Sequence, residues 1–150
     1  MDPKLTASEF LQALCIYREA RGESMAAKAA ILAVIRNRAA DAQGRWPKTT
    51  SAVILQPAQF TSFSPNDPSV SVFPQPKTPG AWQAWLDCCE VVTSPMSEDP
   101  TGGATNYHSI PDDGYSYKNA KGEMVNLKPP TWADPAKLTL QIGKTRFYKL

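Results

Sequence analysis

The chain has 150 residues and a formal net charge of +2, a size that fits one domain able to bury a core without disulfide or metal staples. Its 42% hydrophobic content and four tryptophans describe a globular protein, and no run approaches the roughly 18 apolar residues of a membrane span. With no block of like charge, it lacks the signature of a nucleic-acid surface.

The three cysteines, Cys15, Cys88 and Cys89, are odd in number, and two are adjacent. There is no CxxC pair and one histidine, so neither a zinc site nor any other cofactor is expected. The opening "MDPKLTASEF" has no basic stretch leading into an apolar one, so no secretory signal is expected.

Thr6 to Glu9 has the capping-box pattern, which predicts a helix from about residue 7. Phe10, Leu14 and Tyr17 recur at helical spacing, with Leu11 and Cys15 beside them, and should enter the core. Gly22 is a natural stop, since glycine accepts the left-handed conformation. Ser24 then caps a second, alanine-rich helix from about Met25 to Ala42, with Ile31, Val34, Ile35 and Arg38 turned inward or flanking. "SAVILQPAQF" reads as a short helix or strand. The prolines from Pro57 to Pro79 predict irregular surface. Thr78-Pro79 opens a further helix carrying Trp82, Trp85, Leu86, Cys89 and Val92, ended by Pro95. "DPTGGATNYHS" reads as a turn followed by an extended segment, residues 110–136 as an ordered loop, and "KLTLQIGKTRFYKL" as a strand with Gly143 as a bulge. The sum is a helix-dominated α+β fold in a single domain.

Within "YREARGES", Glu19 falls in the last turn of the first helix and Glu23 just past the glycine. A carboxyl at the negative end of a helix dipole, partly desolvated, is biased toward the protonated form that a general acid needs. A solvated or ion-paired glutamate is the plainer reading of the same position. Successive helical residues are about 100° apart, so neither Arg18 nor Arg21 need face Glu19.

Five motifs in order widen the context: "EARGES" and the alanine-rich helix ending "VIRNR", then "WP", "VILQPAQF", "DPTGGAT" and "IGKTRFY". Together, from about residue 10 to 148, they resemble the cell-wall hydrolase family of the SleB/CwlJ type, the spore-cortex lytic enzymes. The resemblance implies a lysozyme-like fold, cleavage of the peptidoglycan glycan strand, and Glu19 as the catalytic acid. Lys144 and Thr145 stand where the family commonly has Asn-His, and the proline-rich segment 61–79 looks individual to this chain.

Most glycosidases need two carboxylates. Asp67, Asp99, Asp112 and Asp113 fall in loops, where aspartates most often form turns. A lytic transglycosylase needs only one acid, which is the expectation here, with a hydrolytic muramidase or a non-catalytic glycan-binding protein as alternatives. Candidate substrate-binding residues are Glu23, Gln59, Phe60, Thr61, Tyr107 and His108. Gln59 and Thr61 offer an amide and a hydroxyl to the sugar's N-acetyl group or hydroxyls, and Tyr107 a flat face with a hydroxyl. Tyr17 and Phe60 are candidate apolar walls beside Glu19, or plain core. A lone histidine such as His108 is more often a structural hydrogen-bonder, and for Trp46 and Trp132 packing is the plainer reading beside sugar stacking. The expected partner is the peptidoglycan glycan strand, met by a monomer with no membrane insertion, synthesised in the cytoplasm and released through a pore in the manner of a phage endolysin.

Overall fold

The computed structural model describes residues 4–110 and 116–150. Helix α1 spans Ala7–Ala20, α2 Met25–Ala39, α3 Thr50–Leu55 and α4 Pro79–Thr93. The strands are β1 Asn106–Ser109, β2 Ser116–Lys118, β3 Met124–Asn126, β4 Leu138–Ile142 and β5 Thr145–Tyr148. β1, β5 and β4 form an antiparallel sheet in that order, and β2 pairs with β3.

α1 begins at the predicted capping box: the Thr6 hydroxyl accepts from the Glu9 amide, and the Glu9 carboxylate accepts from the Thr6 amide. Its stop differs from the expected one. Arg21 closes the helix in right-handed geometry, and Gly22 is not among the glycines with positive φ. The Lys28 ammonium takes over instead: its side chain is 2% exposed and donates to the carbonyls of Arg21 and Glu23 at the turn. Carbonyls freed at a helix end need such a partner once buried. Ser24 caps α2 as its side chain suggests, accepting from the Ala27 amide. The helix runs to Ala39 rather than Ala42, because Ala40 already leaves helical geometry and bonds back to Arg36.

α2 is the centre of the molecule. Residues 30–35 are buried in unbroken succession, which a helix shows only when it is covered on all sides. α1, α3, α4 and β1 surround it. Its alanines allow close approach, while Ile31, Leu32, Val34 and Ile35 supply bulk, each such side chain worth roughly 1.5–3 kcal/mol when fully buried. Leu14, Tyr17, Trp85, Cys89, Val92 and Phe147 complete the core. Phe10 departs from expectation at 41% exposed, since it sits at the rim with its ring edge on Trp85, 5.7 Å between centroids.

The C-terminal segment forms a hairpin rather than one strand. Gly143, at φ +54°, makes the turn between β4 and β5, and the irregularity in register falls at Leu138/Leu140 instead. The predicted loop 110–136 holds the β2–β3 hairpin, each strand three residues long.

Candidate active site

Glu19 is half-buried in the last turn of α1, where two distant segments meet it. The Ser62 hydroxyl donates to Glu19 Oε1 at 2.8 Å. The Tyr107 hydroxyl donates to Oε2 at 3.1 Å. Each carboxyl oxygen therefore has one hydroxyl partner. Burial, and then the neighbouring Glu19 charge, push the Tyr107 phenol well above its ordinary range, so it keeps its proton at any working pH.

Both hydroxyls sit on backbone that a buried arginine holds. Ser62 lies in a short 3-10 turn, Thr61–Phe63, and is 3% exposed. Arg18, next to Glu19 in sequence, donates to the carbonyls of Ser62 (3.2 Å), Val70 (2.7 Å) and Val72 (3.1 Å). Tyr107 lies on β1 opposite Phe147, their ring centroids 5.8 Å apart. Arg38 donates to the Thr105 carbonyl just before that strand at 2.6 Å, and to Gln59 Oε1 at 3.4 Å. Its guanidinium lies over Phe60 and Trp46, and burial lowers its pKa.

The turn leading into β1 is similarly pinned. The Asp99 carboxylate accepts from the Thr101 amide and hydroxyl and the Gly103 amide. Asn37 donates to Asp99 at 2.9 Å and to the Ala104 carbonyl at 2.9 Å. Burial works against ionisation of Asp99, but these hydrogen bonds hold its pKa below the ordinary value. Gly102 and Gly103 both have positive φ, which explains two glycines in succession in this turn.

Residues 22–148 match the profile of the Cell Wall Hydrolase family. The chain belongs to that family. This cell wall hydrolase is also similar to two solved structures. One is the catalytic domain of the Bacillus cereus SleB protein, with 29% identity over 98% of this chain and 94% of that one and a TM-score of 0.56. The other is the catalytic domain of the germination-specific lytic transglycosylase SleB from Bacillus anthracis, with 26% identity over 99% and 100% and a TM-score of 0.56. No protein of curated function matches significantly. The hydrolase shares the lysozyme-like, helix-dominated α+β fold of these domains. The family match begins at Gly22, so the reading of Glu19 rests on its surroundings.

Of the residues singled out from sequence, Glu19 and Tyr107 come together. Gln59 and Thr61 are exposed on the segment carrying Ser62. Phe60 is core, 4% exposed, beneath Arg38. Tyr17 is likewise core, its ring edge on Trp85. Glu23 is exposed on the turn, and no hydrogen bond joins it to Glu19 among the described residues. His108 is not brought to Glu19. Side chains alternate along a strand, so it faces away from Tyr107, stacked on Tyr148 at 5.5 Å and edge-on to Trp132 at 5.9 Å. Trp46, between Arg38 and Arg45, and Trp132 both make packing contacts. Among the described residues, neither Asp67 nor Asp99 is hydrogen-bonded to Glu19. Asp67 caps the Ser69 amide, Asp99 holds its own turn, and Asp112 and Asp113 lie outside the described residues. Arg18 and Ser62 were missed. A serine flanked by aromatics in "FTSFS" and an arginine on an apolar helix face were the available signals.

Proposed function

We propose that this wall-degrading enzyme cleaves the MurNAc–GlcNAc bond of peptidoglycan by lytic transglycosylation, with Glu19 as its one catalytic carboxyl. Glu19 gives its proton to the glycosidic oxygen as the C1–O bond breaks, and the sugar's acetamido group stabilises the oxocarbenium-like centre. The C6 hydroxyl of the same MurNAc then attacks C1, and its proton passes to Glu19. Water is not consumed, and the product carries a 1,6-anhydro end.

The observation that carries this reading is the half-exposed Glu19 carboxyl with a hydroxyl on each oxygen. A hydroxyl both donates and accepts, so Ser62 can serve the protonated acid and the carboxylate base in turn. The description of the Bacillus anthracis relative as a lytic transglycosylase supports the same chemistry. Gln59 and Thr61 are proposed to contact the sugar beside the scissile bond, and Glu23 to meet the strand at the rim.

Mass spectrometry of muropeptides released from purified walls tests the proposal. Anhydro-muramyl ends are expected from the wild type, and none from Glu19→Gln, which should still fold and bind wall. Reducing ends would make the enzyme a hydrolytic muramidase. Wall binding without muropeptide release by the wild type would make it a glycan-binding protein.

A further inference from the structure

We infer that Arg18 is a positioning residue for this reaction: it sets the loop 62–72 against α1 so that the Ser62 hydroxyl meets Glu19. The inference rests on the role proposed for Glu19.

Arg18 and Glu19 are consecutive in the last turn of α1 and grip the same residue from two sides. Arg18 Nη1 holds the Ser62 carbonyl at 3.2 Å, while Glu19 Oε1 accepts from the Ser62 hydroxyl at 2.8 Å. The remaining Arg18 donors reach the carbonyls of Val70 and Val72, so one guanidinium ties both ends of the loop to a single point. The Phe63 and Phe73 rings lie 4.6 and 5.0 Å from it. Arg18 is 9% exposed, and no ion pair to it is found among the described residues.

A buried cation without a counter-charge is costly. If the loop needed only adhesion, an apolar side chain between Phe63 and Phe73 would provide it. The guanidinium adds direction: its N–H bonds point along fixed lines in one plane, which an aliphatic chain or an ammonium cannot reproduce. The loop itself contains only two short 3-10 turns, Thr61–Phe63 and Pro68–Ser71, so its placement depends on contacts of this kind.

The test is a double-mutant cycle on Arg18→Lys and Ser62→Ala, with initial rates of wall solubilisation over a range of wall concentrations and thermal unfolding of each variant. Arg18→Lys keeps the charge and stem but loses the fork. Each single variant is expected to lower kcat about tenfold or more with KM within about twofold. Adding Arg18→Lys to Ser62→Ala should cost no more than about a further twofold, because the residue Arg18 acts through has already lost its hydroxyl. Multiplying effects, or a raised KM with kcat intact, would overturn the inference. If the lysine variant fails to fold, Arg18→Gln, which retains a planar donor group, goes through the same cycle. Glu19→Gln is measured alongside. Were it active, the reading of Glu19 would fall and this inference with it; if it is inactive, the cycle reports on Arg18 alone.

Discussion

Replacing Tyr107 by phenylalanine removes one hydroxyl from the site and little else. The ring keeps its place against Phe147, since the 5.8 Å contact between them involves only the aromatic faces. What disappears is the 3.1 Å hydrogen bond to Glu19 Oε2. A bond of that kind to a charged group is worth about 1.5–3 kcal/mol, and each 1.36 kcal/mol is a factor of about ten in rate. If the carboxylate base is the state the phenol supports, kcat should fall roughly ten- to a hundredfold. Stability should move by less than about 1 kcal/mol, because Glu19 keeps Ser62 and the buried hydroxyl no longer needs a partner. Muropeptide release from purified walls under saturating conditions gives the first quantity, and denaturant unfolding the second. A variant that unfolds normally and works at the wild-type rate would show that the Tyr107 hydroxyl plays no part in the reaction.

Other consequences concern the scaffold. Asn37→Ala removes the two 2.9 Å bonds to Asp99 and Ala104; at about 1 kcal/mol each, melting should drop by about 4–8 °C in a domain of this size, read by calorimetry. Glu19→Gln, by contrast, should leave melting close to the wild-type value while stopping lysis. The Arg45 guanidinium and amide hold the Asp41 carboxyl down to about 2, and Asp99 is also lowered by its hydrogen bonds. Folded values below the unfolded ones mean that this stabilisation is complete above about pH 4. It is lost as pH falls through the folded values, so Arg45→Met should flatten the acid limb of a plot of urea midpoint against pH between about 4 and 2. Burial pushes the Cys88 thiol up to about 12 and Cys89 to about 11, and Cys15 is raised well above its ordinary value by burial and then by the Glu19 charge. The thiolate is the reactive form, so a disulfide-exchange reagent at pH 8 should modify the native protein slowly and three thiols quickly in denaturant. Fast titration of the folded enzyme would contradict the burial described for them.

The helices were legible because their signals are local. Thr6, Glu9, Ser24 and Pro79 act within one turn, and the apolar spacing of α1 and α4 is set by the helix itself. Where tertiary contacts decide, local signals misled. Gly22 looked like the stop of α1, but buried Lys28 satisfies the turn's carbonyls and no left-handed glycine is needed. The β4–β5 hairpin was hidden because a two-residue turn at Gly143-Lys144 barely interrupts a run of strand-forming residues. His108 and Tyr107, neighbours in "NYHS", were both candidates; only the pairing of β1 with β5 determines which of them faces Glu19. Motif order led to Glu19, yet its partner Ser62 is 43 residues away, a distance at which no spacing rule operates.

That separation explains how one helix end can host an acid whose surroundings come from elsewhere. α1 fixes the position of Glu19 rigidly, because residues 12–18 are buried in succession. The two hydroxyls reach it from opposite kinds of support. Tyr107 stands on a strand held by β5 and by the Arg38 bond to Thr105. Ser62 stands on a loop whose ends are tied by Arg18. On the proposed route Glu19 loses and regains a proton in each turnover, so its partners must suit both states. Both partners are hydroxyls, which donate to a carboxylate and accept from a protonated carboxyl. On that route Ser62 on Oε1 and Tyr107 on Oε2 each turn the hydroxyl to suit the state of the carboxyl. On the roles proposed for Glu19 and Arg18, the loop that Arg18 ties through Ser62, Val70 and Val72 carries one of the two hydroxyls at the carboxyl, so its placement is a condition of turnover.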